Sequence, residues 1–247
     1  MNTVAIYHIK GGVGKTATAV NLAYLAALSG QRVLLWDLDA QAASSFYFRV
    51  KPKVKGGGRK LLHSDGGIFK AIKASDYDNL DILPSDFSYR KLDNQLETKK
   101  TLKKAIQPLR DVYDLILLDC PPNITQVSEN IFRACDAMMI PVIPTTLSLR
   151  TLEQLMDFFD DKHLSHMTLM PFFSMVDVRR NLHKEIIETL PKQIPGFLKT
   201  MIPNASEVEK MGIRRTPVSV FASSSKSSKA YCYLLAEMMG RLNKKAG

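Results

Sequence analysis

Cysteine is scarce in this chain of 247 residues, which contains only Cys120, Cys135 and Cys232. Their odd number and the absence of metal-ligand spacing argue against a disulfide framework or a structural zinc site. No apolar run reaches the roughly 18 residues that a membrane-spanning helix needs. The first residues lead directly into an apolar strand pattern, without the features of a signal peptide. We therefore expect a reduced, cytoplasmic protein.

Acidic residues are scarce in two regions of a chain whose net charge is +10. Residues 179–247 hold 13 Lys and Arg against five Glu and no Asp, and residues 49–60 hold six basic residues and no acidic ones. Two such regions favour a polyanionic partner such as nucleic acid, although solvated surface lysines would give the same composition. Residues 50–67 also lack periodicity and are rich in glycine and lysine, which predicts a mobile basic loop.

Apolar runs typical of buried strands alternate with helical patterns along the chain. This alternation predicts an α/β fold with a doubly wound, mostly parallel sheet and helices on both faces, in one domain over residues 1–247. Ligands of such folds bind at the carboxyl ends of the strands. The predicted strands are Thr3–Ile9, Arg32–Asp37, Leu80–Leu83, Tyr113–Asp119, Ala137–Ile143, Met167–Met175 and Phe197–Ile202. The predicted helices are Thr16–Leu28, Tyr89–Leu109, Thr125–Cys135, Ser148–Phe159, Leu182–Leu190 and Lys226–Asn243.

Residues 10–16, Lys-Gly-Gly-Val-Gly-Lys-Thr, lie between the first strand pattern and the first helical pattern. A glycine loop in this position presents backbone N–H groups and a helix N-terminus to an anion, which predicts a phosphate-binding loop. We expect Lys15 to reach the β- and γ-phosphates and the Thr16 hydroxyl to hold Mg²⁺. A glycine-rich turn that happens to precede a helix is the simpler alternative. The predicted nucleotide-binding residues of this loop are Gly11, Gly12, Val13, Gly14, Lys15, Thr16 and Ala17.

Three aspartates end two of the predicted strands. Asp37 and Asp39 are two residues apart, so their side chains point the same way, and beside bound phosphate they could orient a metal-bound water and the attacking water. Two aspartates that cap a turn or helix are the alternative. Asp119 follows four apolar residues and precedes Pro121-Pro122, an arrangement typical of a Walker B carboxylate. We therefore predict that Thr16, Asp37 and Asp119 serve Mg²⁺.

These motifs together resemble the ParA/MinD family of deviant Walker A ATPases. The family pattern K-G-G-x-G-K-[ST] matches residues 10–16, in which Lys10 is the additional lysine. The family's Asp-x-Asp-Pro-Gln matches residues 37–41 with Ala40 in place of proline, and Tyr-Asp-x-Ile-Leu-x-Asp-x-Pro-Pro matches residues 113–122. Weaker similarities lie in residues 175–179, 200–204, 216–218 and 225–231. Ala17 departs from the family, which usually has a second threonine there. Within the family, the chain is most similar to the small partition and positioning branch of Soj-like and McdA-like proteins.

The resemblance implies a mechanism and its residues. ATP and Mg²⁺ would bring two subunits face to face, and Lys10 of each would reach the phosphates of the other. Asp39 would position the attacking water, while Met175 and Pro203 would enclose adenine. Hydrolysis would be slow until a ParB-like protein or a small adaptor stimulates it.

The resemblance also implies that the ATP dimer binds nucleoid DNA without sequence preference, while it partitions a DNA or protein cargo. The candidate DNA-binding residues are Lys199, Lys210, Arg214 and Arg215. A solvated turn before Pro217 is the alternative explanation for the last two.

Two other functions remain to be weighed. A MinD-like membrane switch that regulates division would need a terminal amphipathic helix with a free apolar face. The apolar residues of the last helical pattern fit better as a stripe that packs on the sheet: Leu234, Leu235, Met238, Met239 and Leu242. An iron–sulfur reductase would need a cysteine pair that bridges a cluster between subunits, whereas isolated cysteines such as Cys120 and Cys135 more often belong to a core.

Overall fold

The computed structural model describes residues 1–55, 57–63, 67–86, 88–89, 101–162, 164 and 166–245. The strands are β1 Asn2–Ile6, β2 Val33–Asp37, β3 Lys73–Ala74, β4 Leu80–Leu83, β5 Leu115–Asp119, β6 Ala137–Val142 and β7 Thr168–Phe173. The helices are α1 Lys15–Leu28, α2 Ala43–Tyr47, α3 Gly57–His63, α4 Gly67–Ala71, α5 Thr101–Ile106, α6 Gln126–Ala134, α7 Thr146–Asp161, α8 Asn181–Gln193, α9 Ser206–Arg214, α10 Val218–Phe221 and α11 Lys226–Lys245.

The strands of the described residues form one seven-stranded sheet in the order β3-β4-β2-β5-β1-β6-β7. The short edge strand β3 pairs antiparallel with β4, and the other strand pairs are parallel. Strands β2, β5 and β6 are buried along their whole length, as near-continuous apolar runs predict for a sheet covered on both faces. The predicted α/β fold is confirmed.

Each central strand divides its side chains between two hydrophobic cores. In β2, Leu34 and Trp36 belong to the core that contains the apolar side chains of α5–α8. Val33 and Leu35 belong to the core on the opposite face, which contains those of α1, α9 and α11. The alternation follows from the two-residue period of a strand. It places helices on both faces of the sheet, as predicted.

The apolar stripe of α11 is buried in the second core, as predicted for packing on the sheet. Leu234, Met238 and Leu242 are buried almost completely, and Met239 packs against them. Among the described residues, no helix combines the length and hydropathy needed to cross a membrane. Cys120 and Cys135 are also buried inside the protein, whereas Cys232 is exposed.

Two predicted segments differ from the structure. Residues 197–202 do not form a regular strand, although Phe197, Leu198 and Ile202 are buried beside β7. The Glu237 carboxylate of α11 accepts the N–H groups of residues 199 and 200, at 2.8 and 2.9 Å, and so takes two donors that a strand would need for its ladder.

The predicted loop at residues 50–67 contains helix α3, in which Leu61 is buried, and Val54 before it is also buried. The loop prediction is therefore wrong for residues 57–63, because apolar side chains between the basic ones anchor the segment to the core. Mobility of this segment stays a prediction. Of the helix predicted at residues 89–109, α5 and a 3-10 turn at Gln107–Leu109 are present, and residues 90–100 lie outside the described part of the chain.

Candidate functional site

The glycine loop joins the carboxyl end of β1 to the first turn of α1, as predicted. Gly12 and Gly14 have φ angles of 73° and 91°, in the left-handed region that favours glycine. A Cβ atom on Gly14 would also lie 2.9 Å from Ser174 Oγ, at the end of β7. The loop therefore needs glycine at position 14 both for its backbone conformation and for its close approach to β7. Val13 is buried and anchors the loop.

The two lysines of the loop point to different places. Lys15 is only 7% exposed, and its ammonium donates to the Lys10 carbonyl oxygen at 3.1 Å. Burial lowers the pKa of Lys15, while the nearby Asp119 carboxylate opposes that effect. The Lys10 ammonium instead donates to the Ser148 hydroxyl at the start of α7, at 3.4 Å, and the side chain remains partly exposed. The Lys15 ammonium thus stays on its own loop, whereas the Lys10 ammonium contacts α7.

Asp37 and Asp119 lie opposite each other on the neighbouring strands β2 and β5. Asp37 is fully buried, and its Oδ2 accepts the N–H and hydroxyl of Ser45 at 2.8 and 2.7 Å. Its Oδ1 accepts the Asp39 N–H at 3.3 Å. Burial, followed by the charge of Asp119, raises the pKa of Asp37. Both oxygens of Asp37 accept hydrogen bonds from protein donors, which fits a role through metal-bound water better than direct metal binding, and this role stays a prediction.

Asp119 has a free oxygen. Its Oδ2 accepts the Ser44 hydroxyl, whereas its Oδ1 is buried without a hydrogen-bond partner among the described residues. Burial raises the pKa of this carboxyl, while the hydrogen bond from Ser44 and the nearby Thr16 hydroxyl oppose the effect. A buried, unpaired carboxylate oxygen is costly unless a cation or donor satisfies it. Asp119 and Thr16 therefore fit a Mg²⁺ ion that keeps most of its ligands as water and phosphate oxygens.

Asp39 lies beyond the end of β2, where the chain turns toward α2. Its Oδ1 accepts the Gln41 N–H at 2.9 Å, and its carbonyl accepts the Ala42 N–H at 2.8 Å. This is the turn-capping role considered as an alternative, yet the side chain also lines the cleft above the glycine loop. The second carboxylate oxygen is not used by the turn. Asp39 can therefore fix the turn and still face a ligand.

The cleft above the loop has a volume of about 360 Å³. The residues of the glycine loop that line it are Gly11, Gly12, Gly14, Lys15, Thr16 and Ala17. Met175 and Pro203, predicted from the resemblance to enclose adenine, line the same cleft. Met175 has a left-handed φ of 54°, and the following residue, Val176, forms a β-bridge to Pro203. The structure brings the phosphate loop and these two residues together, and their contact with adenine stays a prediction.

Four residues around the site were not found from the sequence. Ser44 donates a hydrogen bond to Asp119, and Ser45 donates to Asp37. His8 supports the loop through its Nδ1, which accepts the Lys10 N–H at 2.9 Å. Ser174 lies so close to Gly14 that a side chain at position 14 would contact it. The available signal for the serines was weak, since they only follow the Asp-x-Asp motif by a few residues. His8 directly precedes the loop, but a histidine at a strand end has no specific meaning by itself.

The candidate DNA-binding residues differ in their surroundings. Lys199, Lys210 and Arg214 are exposed. Arg215 has a left-handed φ of 51° after α9, and its Nε donates to the Phe46 carbonyl oxygen at 2.9 Å. Its guanidinium also lies 4.4 Å from the centre of the Phe46 ring. Arg215 thus connects α9 to α2, and a change at this position would disturb packing as well as charge.

Residues 1–168 match a family model described as an AAA domain. The chain is 31% identical over 245 residues to the sporulation initiation inhibitor protein Soj of Bacillus subtilis strain 168, covering 95% of this chain and 97% of that protein. It is 28% identical to the chromosome partitioning protein ParA of Myxococcus xanthus strain DK1622, covering 96% of this chain and 88% of that protein.

A solved structure shows the same fold over nearly the whole chain. It is cobyrinic acid a,c-diamide synthase from Mycobacterium smegmatis with bound ADP and magnesium, with a TM-score of 0.83 and 21% identity. The alignment covers 98% of this chain and 96% of that one. The similarity extends beyond the first 168 residues, through the helices that close the second core.

Proposed function

Because this chain belongs to the ParA/MinD family of ATPases, we propose that it is an ATP-dependent dimerising switch. It binds ATP with Mg²⁺ in the cleft above the glycine loop and hydrolyses ATP slowly. In its dimeric state it binds nucleoid DNA and partitions or positions a DNA or protein cargo. A ParB-like protein or a small adaptor stimulates hydrolysis and so ends that state.

The arrangement of the two lysines is the observation that carries this proposal. The Lys15 ammonium is bound to a carbonyl of its own loop, from which it can turn to the phosphates in the same cleft. The Lys10 ammonium instead donates to Ser148 of α7, and Lys10 is not part of the lining of that cleft. In this proposal Lys10 therefore neutralises phosphate charge across a subunit interface, and not inside its own cleft. Dimerisation then depends on ATP.

The hydrolytic groups follow from the contacts of the aspartates. When bound, Mg²⁺ would neutralise charge that develops on the phosphate oxygens, with Thr16 and the free oxygen of Asp119 as its protein partners. Asp39 positions the attacking water with the carboxylate oxygen that its turn leaves unused. Asp37, whose oxygens are bonded by Ser45 and Asp39, orients this group of residues instead of contacting the metal.

Exposed apolar side chains support a dimer face next to the nucleotide. Ile124, in the loop after β5, is 41% exposed, and Leu147, in the first turn of α7, is 60% exposed. Both residues follow the carboxyl ends of strands, at the end of the sheet where the glycine loop also lies. Leu147 directly precedes Ser148, the hydrogen-bond partner of Lys10. Burial of such side chains would contribute to the dimer, since apolar area removed from water stabilises association.

The C-terminal basic residues connect nucleotide and DNA in this proposal. Helix α9 begins at Ser206, directly after residues 203–205, which line the cleft, and it carries Lys210 and ends at Arg214. A similar protein is named for chromosome partitioning, which supports a partition role. The MinD-like membrane alternative needs a terminal helix with a free apolar face, whereas the apolar stripe of α11 is buried. We therefore favour DNA over a membrane.

Lys10→Ala tests the proposal. The variant should bind a fluorescent ATP analogue with an affinity within about twofold of the wild type, because Lys15 still supplies the charge inside the cleft. It should lose the dimer that forms with a slowly hydrolysed ATP analogue, because the charge supplied across the interface is gone. Light scattering after size exclusion measures the mass of each species.

Lys103→Ala is the matched control, since Lys103 is an exposed lysine of α5. It should dimerise like the wild type. A normal ATP-dependent dimer of Lys10→Ala would contradict the role of Lys10 across the interface. A wild-type protein that remains monomeric with ATP would contradict the proposed switch itself.

A further inference from the structure

A second cleft, of about 620 Å³, lies beside the edge strand β3 and is lined by positively charged side chains. They come from the segment after α2, from α4 and from β3, and they are Arg49, Lys51, Lys53, Lys55, Lys70 and Lys73. All six residues are exposed. Asp76 is the one acidic residue among the described residues that line the cleft.

The charge of this cleft is poorly balanced inside the protein. Asp76 pairs with Arg49 at 3.2 Å, and in the described part of the chain no ion pair involves any of the five lysines. Like charges held around one concavity repel one another and also concentrate a positive potential there. In the described structure Asp76 offsets one of the six positive charges, so a bound polyanion would supply counter-charge for the remaining five.

The cleft has a built scaffold. Val54, between Lys53 and Lys55, is buried and donates its N–H to Asp86 Oδ2 at 3.0 Å. On the other wall, Ile68 is buried in α4, the helix that carries Lys70. Apolar anchors therefore hold the basic segment against the body of the protein, so that its lysines line a defined concave surface.

The cleft continues toward the basic end of α9. The Arg49 guanidinium donates to the Arg214 carbonyl oxygen at 3.1 Å, and Arg215 donates to the Phe46 carbonyl oxygen at 2.9 Å. The two basic regions of the sequence, about residues 49–60 and 179–247, thus meet at this point of the surface. Together they extend from β3, across α2, to the end of α9.

We propose that this basic cleft binds the sugar-phosphate backbone of DNA and forms, with α9, one DNA-binding surface. This inference rests on the proposed function, because it assigns a second contact to the same partner. A row of separate lysines matches repeated phosphate charges, and among the described residues that line the cleft no exposed aromatic side chain is available for stacking on bases. Binding is therefore independent of sequence and decreases steeply with salt.

The test is the triple variant Lys51→Ala, Lys53→Ala, Lys55→Ala, which leaves the Arg49–Asp76 pair and the nucleotide cleft intact. Its affinity for a labelled duplex of random sequence, with a slowly hydrolysed ATP analogue, should fall about tenfold or more in low salt. The slope of log affinity against log salt should become shallower by about 1 to 3, since each lost phosphate contact contributes about 0.9. Fluorescence anisotropy over a salt series measures both quantities.

A matched triple variant, Lys103→Ala, Lys104→Ala, Lys192→Ala, removes the same charge from exposed positions outside the cleft. Its affinity should stay within about twofold of the wild type. Equal losses in the two triple variants would show a general effect of net charge and would overturn the proposal. Unchanged affinity and salt slope in the cleft variant would also overturn it.

Two further arms separate this inference from the proposed function. Arg214→Glu should weaken DNA binding even if the cleft does not contact DNA. If Arg214→Glu loses DNA affinity and the cleft variant keeps it, the cleft is not part of the DNA-binding surface, and the proposed function stands. A wild-type protein that binds no duplex in any nucleotide state contradicts both proposals.

Vesicles of phosphatidylglycerol and phosphatidylcholine provide the last comparison. If the cleft variant loses vesicle binding but keeps DNA binding, the cleft is a lipid-headgroup site, and the DNA proposal is wrong.

Discussion

His8 lies just after β1, and its imidazole is fully buried. Its Nδ1 accepts the Lys10 N–H, while its Nε2 has no partner among the described residues. Burial, followed by the charges of Lys15 and Lys10, lowers the pKa of His8 from 6.5 to about 4. The imidazole is therefore neutral at pH 7, and it holds the start of the glycine loop without adding charge to the cleft.

His8→Asn should make stability less sensitive to acid. The unfolded chain binds a proton near pH 6.5 and the folded protein only near pH 4, so the wild type loses stability as pH falls through that range. The loss due to His8 approaches about 3 kcal/mol at pH 4. Asparagine can still accept the Lys10 N–H but does not titrate. Urea unfolding of both proteins at several pH values measures the difference, and parallel curves for the two proteins would contradict this explanation.

Asp39 allows a separation of turn capping from catalysis. Asp39→Asn keeps an acceptor for the Gln41 N–H, whereas Asp39→Ala removes it. Both variants should lower ATP turnover about a hundredfold and keep ATP binding, because each loses the charge that positions water. Steady-state phosphate release is the measurement, with Asp78→Asn in an exposed turn as the control. If Asp39→Asn keeps the turnover of the wild type and Asp39→Ala does not, Asp39 acts only by capping its turn.

At the residue scale, the sequence predicted the parts of the site that are adjacent along the chain. The glycine loop, the position of Asp39 at the cleft and the position of Asp119 at the end of β5 follow from local patterns. The free oxygen of Asp119 and the occupied oxygens of Asp37 do not, because they depend on Ser44 and Ser45, which are placed by a helix too short to show a periodic pattern. The role of Arg215 as a packing residue also required the structure, since Phe46 is distant in sequence.

The Arg215 side chain attaches helix α9 to α2 through its contacts with Phe46. Arg215→Ala should destabilise the protein by about 1–3 kcal/mol, because it loses one hydrogen bond and one cation–π contact. The left-handed backbone conformation stays strained in this variant, as in the wild type. Arg215→Gly should recover about 1 kcal/mol of that loss, since glycine adopts this conformation freely. Denaturant unfolding measures both variants.

Arg214→Ala is the control, because the Arg214 side chain is exposed and should contribute less than about 0.5 kcal/mol to the free energy of unfolding. Equal stability of the Arg215→Gly and Arg215→Ala variants would show that the backbone conformation carries no strain. Stability equal to the wild type in both would show that the contact between α9 and α2 is unimportant for folding.

At the scale of elements, long buried strands and long amphipathic helices were predicted well, because burial on two faces leaves a strong apolar pattern. Short elements were missed. Strand β3 has two residues and helix α2 has five, so neither shows a period. The apolar run at residues 197–202 was assigned as a strand because a sequence pattern cannot show that Glu237, on a later helix, would take its backbone donors.

For the whole molecule, ATP with Mg²⁺ should raise thermal stability. A ligand present at a hundred times its dissociation constant adds about 2.7 kcal/mol to the folded state. Removal of Mg²⁺ with EDTA should abolish most of the gain, since Asp119 Oδ1 then again lacks a partner. Asp119→Asn should keep the melting temperature without nucleotide but lose the increment due to Mg²⁺. A full Mg²⁺ increment in that variant would place the metal elsewhere; differential scanning fluorimetry is sufficient.

The whole-molecule arrangement has a consequence for helix α2. One part of this helix bonds the buried aspartates through Ser44 and Ser45, and the adjoining Phe46 and Arg49 contact Arg215 and Arg214. A displacement of the helix would therefore change both the contacts of the buried aspartates and those of Arg214 and Arg215. Thermodynamic linkage is reciprocal, so a metal–nucleotide complex that shifts α2 changes DNA affinity by the same factor by which DNA changes nucleotide affinity. If the proposed DNA binding holds, DNA would act through α2 as an effector of the nucleotide site and not only as a ligand of the basic surface.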